Sequence, residues 1–357
     1  MAATAATMER GRLKLGARWH KARYLARHNT LAYSLGLAAR AWHSVLYKDL
    51  TRSPAAISAA RRRLHALLRR DLQNVEDGVY PAALLSEFPL GDYLRRFPLG
   101  VQEFARIWWR RRRKAFGDLP AEVDLSAYPA YYLRTFHWQS DGWLSDRSAA
   151  MYDPGVEFLF AGTADVMRRM VLPPLLDAIA TVHRPRVLDV ACGTGRFLRQ
   201  LHTAAPTARL YGLDMSPHYV RYAAEKLRGT PGVSLITDNA ESMPLGDEVF
   251  DAVTCIFLFH ELPKDVRRTV LGEIFRVLRP GGTFVICDSA QLGEAADIEP
   301  FLQEFPQIYH EPYFKSYLRD DLAHVAVECG FEVTATEPAF LSRIVVCRRP
   351  APADRDP

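Results

Sequence analysis

Val187-Leu-Asp-Val-Ala-Cys-Gly-Thr-Gly-Arg-Phe-Leu198 is an apolar run that ends in a Gly-x-Gly turn and passes into a helical pattern. Val187, Leu188 and Val190 read as a parallel strand buried in a sheet. Gly193 and Gly195 permit a tight turn with close backbone approach, and the N–H groups opening the next helix are available to a ligand. A dinucleotide site wants Gly or Ala where Leu198 stands, and the Gly-Lys-Ser/Thr of a phosphate-binding loop is missing, so the pattern points away from NAD and ATP. Nineteen residues after Gly195, the short run Arg209-Leu-Tyr-Gly-Leu ends in Asp214. A carboxylate at the end of a second strand is placed to accept bonds from both hydroxyls of a ribose.

Two later segments extend the pattern. Asp238-Asn-Ala-Glu-Ser-Met-Pro-Leu is followed by Val249-Phe-Asp-Ala-Val-Thr-Cys-Ile-Phe, and Arg276-Val-Leu-Arg-Pro-Gly-Gly-Thr-Phe-Val-Ile-Cys-Asp comes after them. In this order the four segments resemble the motifs of class I S-adenosylmethionine-dependent methyltransferases. Over roughly residues 165 to 290 the chain is similar to the type 11 small-molecule enzymes, including the ubiquinone and menaquinone C-methyltransferases. The resemblance implies a doubly wound, mostly parallel seven-stranded α/β sheet and S-adenosyl-L-methionine as cofactor. It implies a cofactor site made by Asp189, Ala191, Cys192, Gly193, Thr194, Gly195, Asp214, Met215, Asp238, Asn239, Ala240 and Phe257. One position departs from the family: Asp usually precedes the Ala-Glu pair, and here Asn239 stands there with Asp238 one earlier. Either the Asn239 amide oxygen or the Asp238 carboxylate can accept from the adenine amino group.

Composition is that of a globular protein, and 357 residues suffice for one large or two ordinary domains. Cys192, Cys255, Cys287, Cys329 and Cys347 form an odd set without a C-x-x-C pair, which reads as reduced core cysteines in a cytoplasmic setting and argues against structural zinc. No apolar run approaches the roughly 20 residues of a membrane span. Charge is unevenly placed: residues 1–119 carry 23 basic and 9 acidic residues, the remainder 23 basic and 32 acidic. Arg61-Arg-Arg, Arg69-Arg and Arg110-Arg-Arg-Arg-Lys, the last beside Trp108 and Trp109, make either a solvated helix face, a face paired with the acidic cofactor-binding domain, or a surface for anionic membrane; nucleic acid is the least favoured partner. The first 48 residues hold Glu9 as their single acid, which also fits a mitochondrial transit segment.

The chain divides into a basic α-helical N-terminal region (1–120), an aromatic-rich connecting or cap segment (121–164), the cofactor-binding domain (165–349) and a disordered tail (350–357). Ile57, Leu64, Leu67, Leu68, Leu72 and Val75 recur near a 3.6 period, with Ser53-Pro54 as cap and first residue, predicting a helix over 54–76. Phe97-Pro-Leu-Gly separates one helical turn from the next helix, and a helix over 155–172 is broken or restarted by Pro173-Pro174. Strands are expected at 186–191, 208–213, 232–236, 250–257 and 282–287, with helices at 195–204, 217–228 and 263–278. A last helix over 319–329 leads to a final antiparallel hairpin made by 331–336 and 343–347.

Methyl transfer from a sulfonium is an in-line displacement, so alignment and exclusion of water matter most and few side chains need act chemically. Phe257-Leu-Phe-His-Glu-Leu follows the fourth strand at the carboxyl end of the sheet, where ligands of such sheets bind. His260 is the leading base candidate, with Glu261 orienting it or capping a helix; Asp288 and His310 are further candidates. Two dense aromatic stretches, Tyr128 to Ser145 and Tyr309 to Tyr317, supply pocket candidates Tyr132, His137, Trp138, Tyr309 and Tyr313, suited to a hydrophobic or planar acceptor. No metal site is expected, since His137 and His310 have no ligand spacing. The reading is a methyltransferase acting on a small hydrophobic acceptor such as a lipid, quinone or polyketide-like molecule. Its alternatives are a nucleic-acid or protein methyltransferase and a non-catalytic cofactor-binding protein. Acceptor atom and oligomeric state are not legible.

Overall fold

Residues 21–31, 34, 53–86 and 90–351 are described by the structure, a computed structural model. The transit-segment reading, most of the Arg-rich first 48 residues and all but the start of the tail fall outside them. Seven strands form one sheet: β1 (Arg186–Val190), β2 (Arg209–Asp214), β3 (Val233–Thr237), β4 (Phe250–Ile256), β5 (Leu278–Ser289), β6 (Glu332–Ala339) and β7 (Ser342–Arg348). Their order is β3-β2-β1-β4-β5-β7-β6. β1 to β5 pair in parallel, and β7 runs antiparallel to both β5 and β6, giving the final hairpin expected from the sequence.

Alternation along the strands sorts side chains onto two faces. Val187, Leu210, Ala252, Val285 and Ile344 share one core with Leu172, Leu175 and Leu198, and with Leu64, Leu67, Leu68 and Leu72 of the Pro54–Glu76 helix. Leu188, Val190, Val253, Phe284 and Ile286 share the other with the Lys264–Val277 and Leu322–Glu328 helices. The N-terminal helix is therefore built into the core beneath one face of the sheet. It begins where its cap signal lies, Ser53 accepting from the N–H of Ala56.

Two expected boundaries differ. One helix runs from Leu90 to Arg113 straight through Pro98, so Phe97-Pro98 does not end it; a proline removes one backbone donor, and a long exposed helix tolerates that loss. The single helix expected over 155–172 is three: Asp146–Leu159, Ala164–Arg169 and Leu172–Ile179. Ala161 and Gly162 lie in left-handed backbone and end the first, while Pro173 and Pro174 open the third from its first turn.

Candidate active site

The cofactor loop forms where β1 meets the Arg196–Ala204 helix. Gly195 caps that helix at φ +73°, and a Cβ there would lie 2.8 Å from Leu227 Cδ1. Leu198 has its own reason to occupy the position where dinucleotide folds place a small residue: its Cδ1 fills the space above Gly212 on β2, 2.6 Å from where a Cβ at 212 would stand. Asp214 closes the turn, accepting from the N–H of Gly193 through one oxygen and of Ser216 through the other, both at 2.9 Å. Burial pushes its carboxyl up to about 6 against these two donors.

A cleft opens over this loop. Ala191, Gly193, Asp214, Met215, Asn239, Ala240 and Phe257 line it from the sheet side. Asn239 therefore reaches the wall at the departure from the family pattern, while Asp238 turns aside to accept from the N–H of Asn239. Ala191 and Phe257, following the adjacent strands β1 and β4, are non-glycine residues at φ +57° and +59°. Such conformations persist only where their surroundings hold them and are common at ligand clamps. Asp189 lies behind the loop, bonded at 2.8 Å to the Thr254 hydroxyl across β1 and β4, and burial raises its carboxyl to about 7. Thr194 faces the lead-in helix, its hydroxyl donating to Asp153 at 3.0 Å, and Cys192 is buried against Leu213 through its backbone N–H.

The opposite wall is the aromatic segment. Tyr131, Tyr132, Trp143 and Tyr152 line the cleft together with Tyr219 of the Pro217–Lys226 helix. Trp143, Tyr152 and Tyr219 form a triangle of edge-on rings with each centroid pair 5.7 Å apart. The Tyr219 hydroxyl meets the Ser148 hydroxyl at 2.9 Å and the Gln139 amide at 3.2 Å, and the Ser216 hydroxyl donates to the Trp143 carbonyl at 2.5 Å. Tyr131, Trp143, Tyr152 and Tyr219 were not singled out from the sequence. Their helical or turn spacing looks the same for a wall as for a core, and only the path of the segment across the sheet distinguishes them.

The candidate polar residues separate. Glu261 reaches the cleft. His260 lies behind it, its Nδ1 2.6 Å from Asp288 Oδ1 and its ring edge-on to Phe314 and Tyr317. Asp288 also accepts from the N–H groups of Phe259 and Ser289, so it fixes the histidine and the turn that bears Glu261. Burial works against the charged His260 ring, and Asp288 outweighs it, holding the ring at about 9. His310 packs on Phe116, away from the cleft lining, and burial lowers its ring below the ordinary value. Tyr132 lines the cleft as expected; Tyr309 packs edge-on to His137, and Tyr313 joins the small aromatic core beside Tyr219. The Trp138 side chain lies outside the described residues. His137, on backbone at φ +54°, places Nδ1 3.0 Å from Glu311 Oε1 and Nε2 3.6 Å from Glu261 Oε1.

Residues 187–282 match the model of a methyltransferase domain. Demethylmenaquinone methyltransferase of Geobacillus kaustophilus is 33% identical over 202 residues, 49% of this chain and 78% of that protein. The chain belongs to the class I S-adenosylmethionine-dependent methyltransferases. Against demethylmenaquinone methyltransferase of Anoxybacillus flavithermus it is 37% identical over 133 residues, 36% of this chain but 52% of that protein, so the match spans about half of that relative. A solved S-adenosylmethionine-dependent methyltransferase of Aquifex aeolicus is 21% identical, covering 51% of this chain and 96% of that one at a TM-score of 0.37. The residues present fit the methyltransferase cofactor. Asp214 offers ionisable oxygens where the resemblance expects the ribose, Gly193 leaves the loop open, and Leu213, Ala240 and Leu262 give apolar wall beside the Asn239 amide.

Proposed function

We propose that this methyltransferase transfers the methyl group of S-adenosylmethionine to a small hydrophobic acceptor, in the class of quinones, lipids or polyketide-like molecules. The observation that carries the reading is the continuity of one cleft from Gly193 and Asp214 to the aromatic wall of Tyr131, Tyr132, Trp143 and Tyr152, with Glu261 as its carboxylate on the far side. The bound cofactor supplies an electrophilic methyl carbon. This chain's own residues align the acceptor and keep water out: the aromatic faces pack a planar, apolar body, and Glu261 receives its polar group. Relatives named as demethylmenaquinone methyltransferases support a quinone-like acceptor.

A membrane surface as the acceptor's source is supported by the Leu90–Arg113 helix. Leu94, Phe97, Val101 and Trp109 are 65, 69, 54 and 55% exposed on it, an unusual concentration of large apolar side chains. Arg112 and Arg113 lie over the rings of Trp108 and Trp109, the pairing of cation and aromatic belt that suits anionic headgroups. Among the described residues no helix is long and apolar enough to cross a membrane, so the contact proposed is peripheral.

The test is incubation of the purified chain with S-adenosylmethionine and fractionated lipid extract. S-adenosylhomocysteine should form together with a product one methylene heavier. Cofactor binding without S-adenosylhomocysteine from any quinone or lipid fraction would favour a binding protein instead, and methylation of RNA, DNA or protein in the same assay would favour the macromolecular alternative.

A further inference from the structure

We propose that His137, Glu261 and Glu311 hold a divalent first-row metal ion at the acceptor end of the cleft. The three come from separate places: the turn Phe136–Trp138 in the aromatic segment, the turn Phe259–Glu261 after β4, and the stretch after the Glu299–Ile308 helix. One donor atom from each lies within 4.8 Å of the other two. Ligands around a zinc-sized ion stand roughly 3.4 Å apart given bond lengths near 2.1 Å, so side-chain shifts of about an ångström complete the set.

The independent observation is Glu311. Its side chain is fully buried, and neither carboxylate oxygen has a hydrogen-bond partner. A buried carboxylate needs such donors or a cation. The cationic group beside it is the His137 ring, with Nδ1 3.0 Å from Glu311 Oε1 in an ion pair and Nε2 3.6 Å from Glu261 Oε1. His137 takes left-handed backbone to present its ring there. A second imidazole adjoins the group: His260 Nε2 is 4.0 Å from Glu261 Oε1, while its Nδ1 is fixed by Asp288. A carboxylate holding the far nitrogen is the usual support of a metal-binding histidine.

Imidazole nitrogen with carboxylate oxygen suits Zn²⁺, Mn²⁺ or Fe²⁺, rather than thiolate-seeking Cu(I) or the all-oxygen preference of Ca²⁺ and Mg²⁺. Glu261 lines the cleft, so an ion here faces the acceptor. It would polarise an acceptor oxygen and ease loss of its proton before methyl transfer; this use, though not the site itself, rests on the methyl-transfer reading. Sequence spacing gives no metal signature because the ligands are contributed by three distant segments.

The experiment titrates the full chain, stripped with chelator and free of cofactor and acceptor, with Zn²⁺ by calorimetry and with Co²⁺ by visible absorption. One equivalent should bind, Zn²⁺ should displace the Co²⁺ bands, and Glu311→Gln and His137→Asn should each weaken binding by about tenfold or more. Asn at 137 accepts left-handed backbone, so that variant keeps the turn. S-adenosylmethionine binding and thermal melting are followed in parallel to show that the variants fold. Absence of saturable binding to the wild-type chain, or equal binding by wild type and both folded variants, overturns the site and leaves a protonated His137 bridging two carboxylates. Loss of cofactor binding by the wild-type chain would count against the methyl-transfer reading and not against the metal.

Discussion

Asp71 and Arg169 form a buried two-pronged ion pair, with Arg169 Nε 2.8 Å from Asp71 Oδ1, and it joins the N-terminal helix to the short helix ahead of β1. The hydroxyls of Tyr24 and Tyr80 donate to the same carboxylate. Burial opposes its ionisation, but Arg169 and these donors hold it below the usual carboxylate range. The pair explains how a strongly basic N-terminal region is fastened to the sheet: one buried, neutralised charge set in an apolar contact, with Arg63 and Arg70 pairing nearer the surface to Asp297 and Glu337.

Asp71→Asn should therefore strand Arg169 and lower stability by about 3–5 kcal/mol, read from chemical denaturation. Replacing both partners with apolar residues of similar volume should cost less than the single change. A loss below about 1 kcal/mol for Asp71→Asn would show that water reaches the pair.

As the proposed ribose ligand, Asp214 is expected to set the pH behaviour of cofactor binding. Its folded pKa of about 6 is raised, so in the cofactor-free protein its contribution to stability is greatest below the ordinary carboxylate value and is lost as pH rises through 6. Ribose hydroxyls donate to the ionised form, so affinity for S-adenosylmethionine should rise with pH up to about 6 and then level off. Asp214→Ala should weaken binding by about 2 kcal/mol through the loss of charged hydrogen bonds and flatten this profile. Calorimetry across pH 5 to 8, a range set by this titration, checks both.

Gly212→Ala tests the packing that takes the place of the dinucleotide pattern. Its Cβ would fall 2.6 Å from Leu198 Cδ1, 2.8 Å from Cys192 Sγ and 2.9 Å from Leu235 Cδ2. The variant should melt earlier by an amount equivalent to about 1–3 kcal/mol, and Leu198→Ala in the same chain should recover some of it.

Membrane contact through the Leu90–Arg113 helix predicts co-sedimentation with vesicles containing phosphatidylserine and little with phosphatidylcholine alone. Phe97→Asp with Trp109→Asp should abolish it, and raised salt should weaken it as screening grows. Binding equal on both vesicle types would remove the arginines from the explanation.

The parallel sheet was legible because its signals are local: Val187 to Val190 and Phe250 to Ile256 are mostly apolar runs, and Gly193, Gly195 and Asp214 lie at fixed distances from their strand ends. The helix at 54–76 was equally plain, since Ser53-Pro54 and its 3.6 period agree. Pro98 misled because the cost of one missing backbone bond is smaller than the continuity of a 24-residue helix. The sequence left Asn239 and Asp238 as equals, and only the fold brings Asn239 to the wall. His260 and Glu261 are adjacent in sequence yet opposite in role, because Asp288, 28 residues away from His260, draws the histidine inward and leaves the glutamate facing the cleft. The meeting of His137 with Glu311 had no local signal at all.

In the ring triangle over the loop, Trp143 and Tyr152 come from chain preceding β1 and meet Tyr219 from the helix after β2, so the ceiling is shared between two parts of the chain while the floor belongs to the sheet. The Tyr219 and Ser216 hydroxyls hold this seam together through Ser148, Gln139 and the Trp143 carbonyl. If a methyl donor lies beneath these rings, opening that seam would set the pace at which the spent cofactor leaves.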